Sequence, residues 1–367
     1  MQFHLGKILA GLFIALLLNG CASGPKYFDP KGFSSDKKAY MERYTDSQSS
    51  KYVAKAKKVV IPNFYVEFLV KTSGGSSKSD WQSGSSVSTS VSYNLKGVSE
   101  QTMREITNQL YDKMVANLKS SGYEVVPQSA LEKNTNFKAL IAKYGKKTPH
   151  LDEAGLLEKD GKSLLFTARS MPLYFSTSGS GSDKKMGFFE SISQVGDAFK
   201  GQAAANFEGA IMHDFEAAII KPRFVVGFAL IEGSSSSGFN SISASVKSEM
   251  NINIAAQASK IEFLPEYTNS GDIYVPTATG QVFLKEPMIA NDNIATSVVD
   301  VTSVGTKVTT GVLNVLGALS SAQGGRGSSI SITEYDATMN ESAYKTAAIQ
   351  NLNAAAELLV LRAKSVQ

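Results

Sequence analysis

Between Ile242 and Ala258 the apolar side chains keep one phase for seventeen residues. Ile242, Ala244, Val246, Met250, Ile252, Ile254, Ala256 and Ala258 hold even positions, while Ser243, Ser245, Lys247, Glu249, Asn251, Asn253 and Gln257 hold odd ones. Successive side chains of an extended chain point to opposite faces, so the pattern builds a strand with one apolar and one wet face. At about 3.3 Å per residue it would run roughly 56 Å, longer than most sheets use. The phase reverses after Lys260, where Ile261 and Phe263 become the apolar residues, and this predicts a bulge. Just upstream, Phe224–Ile231 is apolar on both faces and reads as a buried strand, with Ser234–Ser237 and Gly238 as the turn. Two fates are open to the even face. It can meet lipid, with Ile242, Val246, Met250, Ile252 and Ile254 as a candidate membrane-facing strand, or it can be buried against a helix. Residues 234–241 are too short and polar for a full membrane partner strand.

The preceding chain alternates strand and helix. Val59–Ile61 and Phe64, Val66, Phe68 and Val70 are apolar on both faces, with Pro62 interrupting them. A Ser/Gly-rich turn over 71–86 leads to Val87, Thr89, Val91, Tyr93 and Leu95, which alternate with Ser and Asn and close a hairpin. Ser99 is placed to cap a helix over 99–121, on which Met103, Ile106, Leu110, Met114 and Leu118 share a face. A strand at 123–126 and a helix over 128–144 follow. Residues 145–162 read as loop, 164–175 as a strand around Arg169, and Phe188–Ile219 as a helix. Gly196, Gly201 and Gly209 each cost about 1 kcal/mol against Ala in a helix interior, so breaks or kinks are expected there. Past Lys260 the pattern weakens. Residues 265–335 read as an irregular or β extension with short strands at 281–284 and 330–332, and 341–363 as a C-terminal helix on the main domain.

The first twenty-one residues pair Lys7 with an apolar run from Ile8 to Leu18, short of the roughly 20 residues a spanning helix needs. A cleaved signal peptide over 1–20 is the better physical reading. The run ends in Leu18-Asn19-Gly20-Cys21, which resembles the lipobox of bacterial lipoproteins. That resemblance implies cleavage between Gly20 and Cys21, a diacylglycerol thioether on Cys21 and an acyl chain on its amine. It also implies sorting to the outer membrane, because Ala22 stands where an Asp would favour retention. Cys21 is the only cysteine, so no disulfide competes for it. Residues 21–56, broken by Pro25, Pro30 and Gly32, read as a lipidated flexible tether that holds the domain off the bilayer.

From Lys57 the order of elements is that of an α/β (α+β) fold. It predicts a mixed sheet flanked by helices with a long amphipathic hairpin, over 57–264 with an insertion at about 146–220. With the lipobox, this order resembles the curli secretion lipoprotein (CsgG-like) family. The closest local likeness is Phe224-Val-Val-Gly-Phe-Ala-Leu-Ile-Glu-Gly233, the Ser-rich turn, and Met250-Asn-Ile-Asn-Ile254. The insertion and the 71–86 stretch depart from the family. Membership would imply an oligomeric component of an envelope secretion or assembly system on the periplasmic face of the outer membrane.

No catalytic constellation is legible. The mature chain has His150 and His213 and no phosphate loop or nucleophile elbow, and His213, Asp214 and Glu216 point to different sides of a helix. No metal or dissociable cofactor is expected. Without residues 1–20, 36 Lys and Arg face 33 Asp and Glu, too small an excess for a nucleic-acid-binding face. Charged residues are 19%, below the usual quarter. The sequence therefore points to a non-enzyme whose partners are the membrane, through its lipid, and itself or other envelope proteins. The alternative is a wholly periplasmic lipoprotein that activates or scaffolds another envelope protein.

Overall fold

The computed structural model of the chain describes residues 27–80, 85–152, 161–176, 198–238, 241–271, 273–302, 320–324 and 328–367. The expected signal peptide, Gly20, Cys21 and Trp81 lie outside these, as does the first part of the predicted 188–219 helix.

Ordered structure begins well before residue 57. Helices α1 (Pro30–Ser35) and α2 (Lys37–Tyr44) each start on an aspartate, with Asp29 accepting from the Lys31 amide and Asp36 from the Ala39 amide. Phe28, Phe33, Met41 and Tyr44 are buried, and with Tyr40 the aromatic rings pack at centroid distances of 5.7–6.0 Å. Strand β1 (Thr45–Gln48) and the short helix α3 (Ser50–Val53) follow. The expected tether is thus corrected for 27–56. Its few apolar residues suffice because they share a core with the C-terminal helix, far along the chain.

Next come β2 (Lys58–Val60), β3 (Tyr65–Asp80), β4 (Ser85–Lys96), α4 (Glu100–Ser120), β5 (Glu124–Val125), α5 (Gln128–Leu131) and α6 (Thr135–Tyr144). The predicted 128–144 helix is two pieces, because Asn134 turns its carbonyl oxygen to the Phe137 amide and starts α6 afresh. Strands β6 (His150–Asp152) and β7 (Lys162–Thr167) flank a gap in the description, and α7 (Ala198–Phe215) leads into β8 (Ala218–Gly227). The remaining strands are β9 (Leu230–Gly238), β10 (Ser241–Glu249), β11 (Asn253–Ile254), β12 (Lys260–Ser270), β13 (Ile273–Leu284), β14 (Met288–Ile289), β15 (Ala295–Asp300), β16 (Ser320–Gly324) and β17 (Ser328–Met339). Helix α8 (Glu341–Ser365) closes the chain.

The fold is mixed α/β. The main path of the large sheet runs β1-β13-β12-β8-β3-β4-β17-β15, and β16-β10-β9 form a second sheet. The region 265–335 is therefore no irregular appendix, since β12, β13, β15 and β17 are strands of the large sheet. On one face of that sheet, Phe64, Val66, Phe68, Phe224, Val226, Ile261 and Phe263 share a core with α4 and α8. On the other, Val60, Ile219 and Leu264 pack with α6 and α7 in a smaller core. Helices on both faces of a sheet are what strands apolar on both sides require.

Helices α4 and α8 are tied at their starts. The Glu341 carboxylate accepts from the Ser99 amide (2.9 Å), the Ser99 hydroxyl (2.6 Å) and the Thr102 hydroxyl (2.7 Å). Those hydrogen bonds, the Ser99 and Thr102 hydroxyls first, pull its pKa from the ordinary 4.5 down to about 2. A depressed acid stabilises the fold above its unfolded pKa and loses that contribution as pH falls through its folded pKa. Glu341→Gln should therefore remove part of the decline in thermal midpoint between about pH 4.5 and about pH 2. Midpoints of the two proteins that fall in parallel through that window would refute the linkage.

Helix α7 runs unbroken through Gly201 and Gly209, against the expected kinks. A Cβ at Gly209 would lie 2.3 Å from the Tyr274 carbonyl oxygen. The glycine serves close approach of the helix to β13 and leaves the helix straight.

Candidate functional site: a two-layered blade

Beyond Lys71, β3 continues for ten residues in antiparallel register with β4, from Lys71↔Asn94 to Asp80↔Ser85. The Ser/Gly stretch expected to turn is a strand, held extended by its ladder. Strand β17 adds to the far side of β4 in parallel, from Ser328↔Ser86 to Thr338↔Lys96. A second layer is formed by β9 and β10, paired from Leu230↔Glu249 to Gly238↔Ser241, with β16 beside β10. Residues 234–238 are thus strand. The strand ends at Asp80 and Ser85, Gly238 and Ser241, and Gly324 and Ser328 gather at one end, about 30 Å from the body at 3.3 Å per residue.

The two layers pack through small side chains. Val87, Thr89, Val91 and Tyr93 of β4 are buried, as are Ala244, Val246 and Ser248 of β10, and the Tyr93 hydroxyl donates to the Ser248 hydroxyl at 2.9 Å. Burial pushes the Tyr93 phenol up to about 12. The Tyr93 and Tyr335 rings stack at 5.2 Å. Near the base the backbones nearly touch, and a Cβ on Gly233 would come within 2.3 Å of the Gly75 carbonyl oxygen. On the outer face, register places Ile330 beside Ser88 and Ile332 beside Ser90. These isoleucines are 73% and 67% exposed.

The candidate membrane-facing strand is corrected here. It is not one strand of seventeen residues: β10 stops at Glu249, and the chain crosses to β11 and turns at 256–258, where Gln257 has a left-handed φ of 61°. That turn, not a bulge, resets the phase before Ile261. Val246, Met250, Ile252 and Ile254 are each no more than 1% exposed, and they face protein. All four belong to the main core, Val246 on the strand that packs against β3 and β4, so the helix 99–121 expected to cover the strand is only part of its cover. The side chain of Ile242 lies outside the described residues, although its backbone pairs with Ser237 and Gly324.

Tyr27, the first described residue, joins the base of the blade. It bridges to Ile289, and its hydroxyl donates to Glu249 Oε2 at 2.8 Å. That hydrogen bond is the main reason its pKa is raised. Burial pushes the Glu249 carboxyl up, but hydrogen bonds from Tyr27 and Lys247 outweigh it and hold the group ionised.

The polar chemistry of the body lies elsewhere, on the α7 side of the sheet. There β3, β8 and β12 present Glu67, Lys221, Arg223, Lys260 and Glu262 in a row. Arg223 donates to Glu67 at 3.3 Å, both nearly buried. Lys221 donates to the fully buried Glu208 of α7 and to Ser176 (2.6 Å), and the Tyr174 hydroxyl donates to Glu208 at 3.0 Å. Glu67 is raised by burial, with Arg223 opposing, whereas in Glu262 the charges of Lys260, Lys221 and Arg223 outweigh burial and lower the pKa. Glu67, Glu208 and Glu262 face Lys221, Arg223 and Lys260, and the buried Asp152 carboxylate also acts on Glu67. His150 lies beside Phe175, and His213 packs between Tyr267 and Tyr274. Among the described residues no three His, Cys, Asp or Glu gather as a metal site, and no helix is long and apolar enough to cross a membrane.

The parts of the blade that do not read as strand in the sequence are 71–80 and 234–238, which are mostly Ser and Gly. The alternation of Lys260 and Glu262 against Ile261 and Phe263 was the available signal for the charged row. No family model, curated protein or solved structure matches the chain.

Proposed function

We propose that the chain is a non-enzymatic lipoprotein, acylated at Cys21 and held on the periplasmic face of the outer membrane, where it works as an oligomeric component of an envelope secretion or assembly system. The blade is its assembly surface. One observation carries the reading: two hairpins, β3–β4 and β9–β10, and the strands β16 and β17 that flank them, come from distant parts of the chain and end together in a projecting, serine-rich platform. The lipobox-like Leu18–Cys21 and the CsgG-like order of elements support it. The burial of Val246, Met250, Ile252 and Ile254 favours a blade that meets partners folded, over strands already laid in lipid.

Cys21→Ser should abolish incorporation of labelled palmitate and move the protein from the membrane pellet to the soluble fraction. Detergent-purified wild type should run as a discrete oligomer and image as particles of fixed symmetry. An unlabelled wild type would end the lipoprotein reading. A labelled monomer would leave the periplasmic activator or scaffold as the better function.

A further inference from the structure

We propose that the body has no stand-off from its anchor and sits directly on the bilayer, with the end that carries Tyr27 against the lipid headgroups. This seating presupposes the acylation of Cys21 proposed above. What remains is geometry. Residues 27–56, which read as a spacer, are part of the body. Tyr27 is fixed by its bridge to Ile289 and its hydrogen bond to Glu249, and Phe28 is 3% exposed with its amide bonded to the Ile289 carbonyl at 2.7 Å.

Only six peptide steps separate Cys21 from Tyr27. Fully stretched they span about 21 Å, and a flexible chain of that length averages about 13 Å end to end. The headgroup layer takes up roughly 6 Å of that on each side of a bilayer. The average reach then leaves about 7 Å, less than the roughly 10 Å of one layer of secondary structure, so the surface around Tyr27 must touch headgroups for much of the time.

The chemistry of that surface says what kind of contact it is. Exposed charges on the segments that carry Tyr27 and its partners Glu249 and Ile289 include Asp29, Lys31, Glu232, Lys247 and Asp292, of both signs. Among the described residues these charges are mixed in sign, unlike a polybasic patch that would draw the body to anionic lipid. The occupant is therefore a lipid surface of any charge, brought into contact by the anchor alone. The base of the blade lies at that contact, because Glu249 ends β10 and holds Tyr27.

Because Cys21 is the only native cysteine and would be acylated, a single introduced cysteine can be labelled cleanly. The full acylated protein is reconstituted in uncharged phosphatidylcholine vesicles containing a headgroup spin label. A fluorophore is placed at Asn291→Cys, two residues from Ile289, or at Ser270→Cys. Ser270 lies at the far end of the β12–β13 hairpin, roughly 36 Å along β13 from Leu284. Quenching should be several-fold stronger at 291 than at 270 and unchanged in 1 M salt. Inserting twenty Gly/Ser residues after Lys26, which raises the average reach to about 28 Å, should bring quenching at 291 down towards that at 270. Equal quenching at the two positions, loss of the difference in salt, or no effect of the insertion would overturn the seating. Vesicle flotation and palmitate labelling keep the outcomes apart: a protein that does not float or label fails as a lipoprotein, while one that floats with position 291 unquenched fails only here. Circular dichroism matching wild type checks that each variant is folded.

Discussion

Gly209→Ala should lower the thermal midpoint, although the same exchange in an ordinary helix interior raises stability by about 1 kcal/mol. Gly209 sits in α7 where the helix crosses β13, and a methyl there would lie 2.3 Å from the Tyr274 carbonyl oxygen, 2.5 Å from its carbonyl carbon and 2.9 Å from its Cβ. Two of those atoms are backbone and cannot swing aside. The helix must lift from the strand, which loosens the smaller core of Ile211, Met212, Phe137 and Leu140. Overpacking of this kind costs about 1–3 kcal/mol, enough to outweigh the helix gain, and the larger Gly209→Val should cost more. In a chain of this size each kcal/mol moves the midpoint by about 1–2 °C. A midpoint that rises in the Ala variant, followed by far-ultraviolet circular dichroism, would show that α7 does not rest on β13 as described.

The second large effect is expected at the buried pair. Arg223→Met strips Glu67 of its guanidinium while leaving the carboxylate 1% exposed, and breaking such a pair from one side costs about 3–5 kcal/mol. Replacing both in Glu67→Met/Arg223→Met removes the stranded charge, so the double variant should be more stable than the single one. The pH dependence gives an independent check. Burial raises the Glu67 pKa, and a raised acid contributes stability that is present at low pH and lost as pH rises through its folded value. The Arg223→Met deficit should therefore be largest at neutral pH and shrink on acidification, whereas the double variant should lack that slope. Chemical denaturation of the three proteins at pH 5 and pH 7.5 measures both. A double variant as unstable as the single one would mean that the lost packing of Arg223, and not the orphaned charge, sets the cost.

What could be read from the sequence divides along a physical line. Helix α4 was legible because its information is local, with Ser99 capping it and Met103 to Leu118 stepping along one face. The α8 helix was legible for the same reason. Strands apolar on both faces, such as 224–227, announced a sheet covered on each side. Residues 71–80 were not legible, because Ser and Gly carry no strand preference and their conformation is imposed by the ladder to β4. The N-terminal helices were misjudged because Phe28 and Tyr44 are too few to make a core of their own, and their partners lie in β14 and α8. The even face of 242–254 was read correctly as apolar and wrongly as continuous. Nothing in the alternation marks where a strand leaves its sheet, and one left-handed residue at Gln257 was enough to restart it. Of the candidate site, the strand at 242–249 was foreseen, but the two-layer arrangement depends on pairings between segments that share no sequence signal.

The parallel pairing of β17 with β4 has a kinetic consequence. Asn94 and Asp336, joined by a hydrogen bond, stand 242 positions apart in the chain. Contacts of such separation form late, because the entropy of closing the intervening loop must be met before the pairing rewards it. Until residues 328–339 arrive, β4 has no partner on that side. The last strand of the blade and the α8 helix that closes the main core both come late in the chain, so the surface proposed for assembly is completed only after β17 has been delivered. On the proposed assembly reading, the order of folding delays self-association until that last strand is in place.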